Sequence, residues 1–217
     1  THAVCCEWVK RRRDHVAIGV DIDPEPLNWG IQHNQSKLTE EQRSRIILQQ
    51  ADVRTSDGPK ADVLAAENFS YWVFKTRPEL REYFKIARRN LRKEGIMVLD
   101  LMGGPETMTE NLQDVRRHRG FKYVWDQARL NPINHDCTYH IHFRFPDGSE
   151  LTKAFTYNWR FWTIPEVREV LLEAGFRRVD VYWEGTDPDT GKGNDIYGIA
   201  TSAPQDLSWI AYMVAGE

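Results

Sequence analysis

The sequence predicts an α/β protein built on a mainly parallel β-sheet. Three observations support this prediction: apolar runs alternate with helix-start signals through the first half, these runs end in polar residues, and the composition supplies a core. The residues AVILMFWYC make up 41% of the 217 residues, which is enough for a folded interior. Alternating strands and helices are typical of parallel sheets with helices on their faces.

Continuous apolar runs predict four strands that are buried on both faces. Each run is short, and each leads to an acidic residue at or near its carboxyl end. The runs lie at 15–20, 46–48, 61–66 and 96–101, and the acidic residues are Asp21, Asp52, Glu67 and Asp100.

Helix-start signals stand between these strands. Asp23 is a typical N-cap, and Pro24 follows at the first helical position. Capping boxes, in which Thr and Glu or Gln stand three residues apart, begin at Thr39, Thr76 and Thr163. The sequence therefore predicts helices after each of these residues, and a further short helix near the amino end.

The helix after Thr76 is predicted to be the best defined of the chain. Leu80, Phe84, Ala87 and Leu91 recur at helical spacing. We expect this helix to continue to Gly95, where glycine favours a stop.

The middle of the chain changes to a two-residue alternation. Three segments show it, and a Pro-Asp-Gly turn joins the last two, which predicts an antiparallel patch. We place this patch as a cap inserted at 121–160 of a single domain, 1–217. The three segments are 121–128, 138–145 and 150–159.

The sheet is expected to resume after the helix that begins at Thr163. A strand at 178–183 is followed by a polar stretch, and the last strand is predicted at 209–214, antiparallel to the rest. The segment 196–200 is the alternative for the last strand.

Charge and cysteine content argue against several classes of protein. With 29 Lys and Arg against 32 Asp and Glu, the net charge is −3, which disfavours a nucleic-acid partner. Cys5, Cys6 and Cys137 form no disulfide framework, so a reducing, cytoplasmic location is expected. No apolar run reaches the length of a membrane helix, and no membrane partner is expected.

The acidic residues at the strand ends predict a ligand site. Ligands of open α/β sheets bind outside the carboxyl ends of the strands. A carboxylate at Asp21 suits the two hydroxyls of a ribose, and one at Asp52 suits the amino group of adenine. Asp23 and Asp100 are better explained as residues that start a loop or cap a helix.

Four segments in order resemble the class I S-adenosylmethionine-dependent methyltransferases, a family with a Rossmann-like sheet. They cover much of the first half of the chain: 17–24, 51–53, 61–70 and 95–101. The resemblance implies S-adenosylmethionine as cofactor. It also implies that the family's first strand and glycine-rich loop precede Ala3.

The resemblance assigns six residues to the cofactor. Asp21 would bind the ribose and Ile22 would pack on the adenine. Asp52 would accept from the adenine amino group, and the backbone of Val53 would donate to the ring. Asn68 and Phe69 would border the methionine end.

The aromatic residues of the predicted cap suggest the pocket for the methyl acceptor. Tyr157, Trp159 and Arg160 are the candidates because they lie near the exit of the cap. His140 and His142 share one face of a strand, but no spaced cysteine pair supports a metal, and we expect none. His140 is the one candidate for a general base, and no catalytic residue is assigned.

The predicted function is methyl transfer from S-adenosylmethionine to a nitrogen or oxygen of a small molecule. Two alternatives remain open at this point. A nicotinamide-dependent oxidoreductase also needs an acidic residue after its second strand. A non-catalytic binding or regulatory domain would keep the same fold. The sequence indicates neither the acceptor nor the oligomeric state.

Overall fold

The structure, a computed structural model, describes residues 1–217 and divides into two compact units. The first unit is Thr1–Pro59 and the second is Lys60–Glu217.

The first unit is a two-stranded parallel sheet with three helices. Strands β1 and β2 are in register from Ala17 opposite Ile46 to Asp21 opposite Gln50. The Asp23 carboxylate accepts from the backbone N–H of Glu25, so the predicted N-cap is confirmed. The elements are α1 (Ala3–Arg11), β1 (Ala17–Asp21), α2 (Pro24–His33), α3 (Glu40–Arg43) and β2 (Ile46–Gln50).

The second unit holds two sheets and two α-helices. Its elements are β3 (Ala61–Ala66), α4 (Arg77–Arg89), β4 (Leu91–Gly103), β5 (Leu112–His118), β6 (Phe121–Leu130), β7 (Asp136–Arg144), β8 (Glu150–Arg160), α5 (Ile164–Glu173), β9 (Arg178–Thr186), β10 (Gly193–Ile199) and β11 (Trp209–Gly216).

A five-stranded sheet forms the centre of the second unit, in the order β10-β9-β11-β4-β3. Strands β3 and β4 are parallel, whereas β11 runs antiparallel to β4 and β9 between them. The predicted α/β class and the final antiparallel strand are therefore confirmed. The segment suggested as an alternative last strand lies in β10, which pairs with β9 as an edge hairpin.

Buried side chains on one face of this sheet meet α4 and α5 in a single core. Met97, Leu99 and Leu101 of β4 are completely buried, and so are Leu80 of α4 and Leu171 of α5. Capping boxes begin both helices as predicted. The apolar stripe of each helix faces the sheet and holds the helix on it.

The predicted end of α4 is wrong. The helix ends at Arg89 with Asn90 as its C-cap, and Leu91 already begins β4. Leu91 pairs with Ala61 of β3. The pairing with a neighbouring strand thus takes this segment out of the helix before Gly95, although the helical spacing of apolar residues continues to Leu91.

A four-stranded antiparallel sheet, β5-β6-β7-β8, follows β4. Three of its strands match the predicted alternation, but β5 was not predicted. Residues of β5 are mostly exposed, so the strand lacks the apolar alternation that marks the others. None of the five helices is long and apolar enough to cross a membrane.

Candidate functional site

In the first unit, the carboxyl ends of β1 and β2 bring the two predicted nucleoside-binding carboxylates to one edge. Asp21 is the last residue of β1, and its backbone carbonyl accepts from Ala51 N at 3.0 Å. Asp52 follows that residue directly. One oxygen of the Asp21 carboxylate accepts from Asp23 N at 3.0 Å, which fixes the turn into α2.

The Asp52 carboxylate is bound by its neighbour Arg54. The guanidinium Nε lies 3.0 Å from both carboxylate oxygens, and the backbone N–H of Arg54 donates as well. These hydrogen bonds hold the pKa of Asp52 below its usual value. The group is therefore ionised at neutral pH, and its oxygens serve Arg54 in this structure.

Two large apolar side chains stand exposed beside these carboxylates. Ile22 is 66% exposed and Val53 is 38% exposed. Each directly follows one of the two aspartates. The family resemblance implies that Ile22 packs on the adenine ring and that the backbone of Val53 donates to it. An apolar ring placed on Ile22 would remove apolar surface from water, which is favourable.

In the second unit, a strained turn follows β3. Asn68 and Phe69 both have positive φ, 57° and 55°, although neither is glycine. This left-handed region is unfavourable for residues with a side chain, at about 1–3 kcal/mol each. Two such residues in succession need an external restraint.

Asp100 on the neighbouring strand β4 supplies that restraint. Its Oδ2 accepts from Asn68 N and its Oδ1 from Phe69 N, each at 2.9 Å. Tyr71 donates its hydroxyl to the Asp100 carbonyl at 2.9 Å. The expectation that Asp100 starts a loop or caps a helix missed this cross-strand role, because the turn it holds lies about 30 residues away in sequence.

Burial raises the pKa of Asp100, and the two N–H donors partly oppose this shift. The carboxyl of Glu67, one residue before the turn, has its pKa raised to about 7 by burial and then by the nearby Asp100 carboxylate. Two carboxyl groups therefore meet where β3 and β4 reach the end of their pairing. In the sequence, Glu67 is marked only by its position at the end of an apolar run.

The turn also meets the aromatic residues of the four-stranded sheet. The Phe69 ring lies 6.2 Å from the Trp159 ring, edge to face, and Tyr157 stacks on Trp159 at 4.4 Å between centroids. Trp159 is buried in the core and Tyr157 is half-buried. The structure thus brings together two of the three predicted acceptor residues with one predicted cofactor residue.

Arg160, the third predicted acceptor residue, is tied into the scaffold. It donates to Glu166 at 2.9 Å and to the Lys75 carbonyl at 3.2 Å. Its guanidinium carbon lies 3.7 Å from the centroid of the Trp162 ring. These contacts anchor β8 to the start of α5.

The two histidines of β7 also have protein partners. His140 Nδ1 lies 2.9 Å from the Thr156 hydroxyl, and His142 Nε2 lies 3.2 Å from Asp126. His142 Nδ1 accepts from Lys153 N. The structure contains no group of three or more His, Cys, Asp or Glu side chains placed to hold a metal ion.

Solved structures of methyltransferases are similar to this chain. An S-adenosylmethionine-dependent methyltransferase from Clostridium acetobutylicum aligns over 93% of this chain and 75% of its own length. The TM-score is 0.62 and the identity is 13%. The CcbJ methyltransferase from Streptomyces caelestis aligns over 99% of this chain and 89% of its own length, with a TM-score of 0.65 and 10% identity. The fold is that of the class I S-adenosylmethionine-dependent methyltransferases.

A third structure with the methyltransferase fold is CalS10, an amino pentose methyltransferase from Micromonospora echinaspora. It aligns over 99% of this chain and 90% of its own, with a TM-score of 0.55 and 17% identity. At such identities the similarity concerns the fold alone. No protein-family model matches the sequence, and no curated protein matches it either.

Proposed function

We propose that this protein is an S-adenosylmethionine-dependent methyltransferase that acts on a nitrogen or oxygen of a small molecule. The observation that carries the proposal is the strained turn of Asn68 and Phe69, held by Asp100 at the carboxyl end of β3. Backbone strain of this kind is concentrated at ligand sites. The methyltransferase fold gives the turn its expected ligand.

The residues present fit the cofactor by their chemistry. Asp21 and Asp52 are carboxylates at the ends of adjacent parallel strands, and carboxylates accept strong hydrogen bonds from hydroxyl and amino groups. Ile22 and Val53 offer the apolar surface that an adenine ring needs. Before Asp52 can accept a hydrogen bond from adenine, one of its carboxylate oxygens must be shared with Arg54 or released by it.

When bound, S-adenosylmethionine supplies an electrophilic methyl group on a sulfonium. The protein then has to position the acceptor in line with that methyl group and exclude water. Tyr157 and Trp159 are the proposed walls of the acceptor pocket, because they adjoin Phe69. We propose that Arg160 contributes indirectly, by holding β8 in place through Glu166.

A nitrogen acceptor is favoured within this proposal. CalS10 is described as an amino pentose methyltransferase, and MtfA, which has the same fold with a TM-score of 0.52, is described as a glycopeptide N-methyltransferase. These descriptions name an amino sugar and a glycopeptide as acceptors. Amines of that kind are the first compounds to screen.

Calorimetric titration tests the proposal. S-adenosylmethionine and S-adenosylhomocysteine are titrated into the wild-type protein and into two variants of it. Asp21→Ala is expected to weaken binding at least tenfold, because it removes charge-assisted hydrogen bonds worth about 1.5–3 kcal/mol. Asp57→Ala, which removes an exposed carboxylate of the same unit, is the matched control.

Absence of binding of either ligand by the wild-type protein would refute the proposal. Equal affinity of Asp21→Ala and the wild type would refute the assignment of the ribose site. Binding of NAD in place of S-adenosylmethionine would support the oxidoreductase instead.

A further inference from the structure

Glu67 stands next to Asp100 at the end of the β3–β4 pairing. The last paired residue of β3, Ala66, lies opposite Leu99 of β4, so Glu67 and Asp100 are each one position further along. Ala66 and Leu99 are buried in the core. Since side chains alternate along a strand, Asp100 lies on the face of β4 opposite to Leu99. The Glu67 carboxyl is near enough for the Asp100 charge to raise its pKa.

The two carboxyl groups differ in their hydrogen bonds. Each oxygen of Asp100 accepts one backbone N–H of the turn. The carboxyl of Glu67 accepts no hydrogen bond from any residue, although the side chain is half-buried. Asp100 is therefore committed to the turn, whereas Glu67 retains its full capacity for a ligand.

No cation of the protein compensates the charge of Glu67. The ionisable groups that act on it are Asp100 from β4, Tyr71 from the segment after the turn, and Tyr212 from β11. Burial raises the pKa of both tyrosines above their ordinary value, so they stay neutral near pH 7. A half-buried carboxylate with only a like charge beside it is stabilised most by a positively charged ligand.

We propose that Glu67 makes this site selective for the sulfonium cation of S-adenosylmethionine over the neutral thioether of S-adenosylhomocysteine. This inference rests on the proposed function and names a specificity-determining residue for it. Methyl transfer would convert the sulfonium into the neutral thioether of S-adenosylhomocysteine. The attraction to Glu67 would then be lost, which would favour release of S-adenosylhomocysteine.

The selectivity depends on the ionisation of Glu67. Since the pKa of this carboxyl is raised to about 7, the group is mostly protonated at pH 6 and mostly ionised at pH 8.5. Preference for the sulfonium should therefore rise with pH across this range. By linkage, binding of the cation favours the ionised form and lowers the pKa of Glu67.

The test is the ratio of two dissociation constants, for S-adenosylhomocysteine and S-adenosylmethionine, measured by calorimetry at pH 6 and pH 8.5. Both ligands carry the same adenosine, amino and carboxyl groups, so most other contributions cancel in the ratio. For the wild type we expect the ratio to rise about tenfold between the two pH values. Glu67→Gln should show a low ratio that pH does not change, and Glu94→Gln, exposed on β4, should behave as the wild type.

A wild-type ratio that is the same at both pH values would overturn the proposal. So would a Glu67→Gln ratio equal to that of the wild type. If both ligands bind and the ratio does not depend on pH or on Glu67, only the role of Glu67 is overturned. If neither ligand binds, the proposed function is refuted as well. Should Glu67→Gln fail to fold, the wild-type pH series by itself decides the matter.

Discussion

Replacing Glu67 by Gln should stabilise the unliganded protein at alkaline pH. In the folded protein the pKa of Glu67 is raised from 4.5 to about 7, so the folded state binds the proton more tightly than the unfolded state. The stability of the wild type therefore falls as pH rises from about 4.5 to about 7 and stays low above that. Gln is uncharged at every pH and does not incur this loss.

The size of the effect follows from the shift. A pKa shift of this size corresponds to roughly 3 kcal/mol, because one pKa unit is worth about 1.36 kcal/mol. Because Glu67 is only half-buried, solvent screening reduces this value to about 1.5–2 kcal/mol. At pH 4.5 the wild-type carboxyl is already protonated in the folded state, and the gain should shrink to a few tenths of a kcal/mol.

Urea denaturation at pH 4.5 and pH 8 measures both values. Glu94→Gln is the control, because this residue is exposed on β4 and should leave stability nearly unchanged at either pH. A Glu67→Gln variant that is destabilised at pH 8, or stabilised equally at both pH values, would refute the reasoning. Either outcome would mean that the ionised carboxylate incurs no penalty in the folded state.

Substitutions at Asp100, Thr163 and Leu80 test other parts of the second unit, and a substitution at Leu151 is the control for Leu80. Asp100→Ala removes both acceptors of the strained turn and should cost about 2–4 kcal/mol in urea unfolding; Asp100→Asn keeps one acceptor and should cost about half. Thr163→Ala removes the capping box of α5 and should lower the unfolding free energy by about 1 kcal/mol. Leu80→Ala empties a fully buried position and should cost about 2–5 kcal/mol, whereas Leu151→Ala, 53% exposed, should cost less than about 1 kcal/mol. Equal losses for the two leucines would contradict the described core.

Local sequence signals predicted the helix starts well. The capping boxes at Thr39, Thr76 and Thr163 all form as predicted, since both partners lie within one turn and need no tertiary contact. The prediction of the end of α4 failed because that end depends on a tertiary contact. Leu91 fits the helical spacing, but its pairing with Ala61 of β3 depends on a residue 30 positions away.

The same distinction separates the predicted from the unpredicted parts of the candidate site. Asp21 and Asp52 are predicted from the sequence because each follows an apolar run, and the parallel pairing of β1 and β2 places their strand ends together. The partnership of Asp100 with the turn after β3 joins two strands that are distant in sequence. The positive φ of Phe69 cannot be predicted from its residue type, since bulky residues rarely adopt a positive φ.

The features around Glu67 reduce the stability of the fold, and this argues that they serve a ligand. Two successive residues in the left-handed region and two adjacent carboxyl groups with raised pKa values each lower the free energy of unfolding. Asp100 offsets part of the strain through two hydrogen bonds, whereas Glu67 receives no compensation within the protein. A scaffold with no bound ligand would be more stable with Gln at this position. A site that binds a sulfonium and must release a thioether gains from the uncompensated carboxylate.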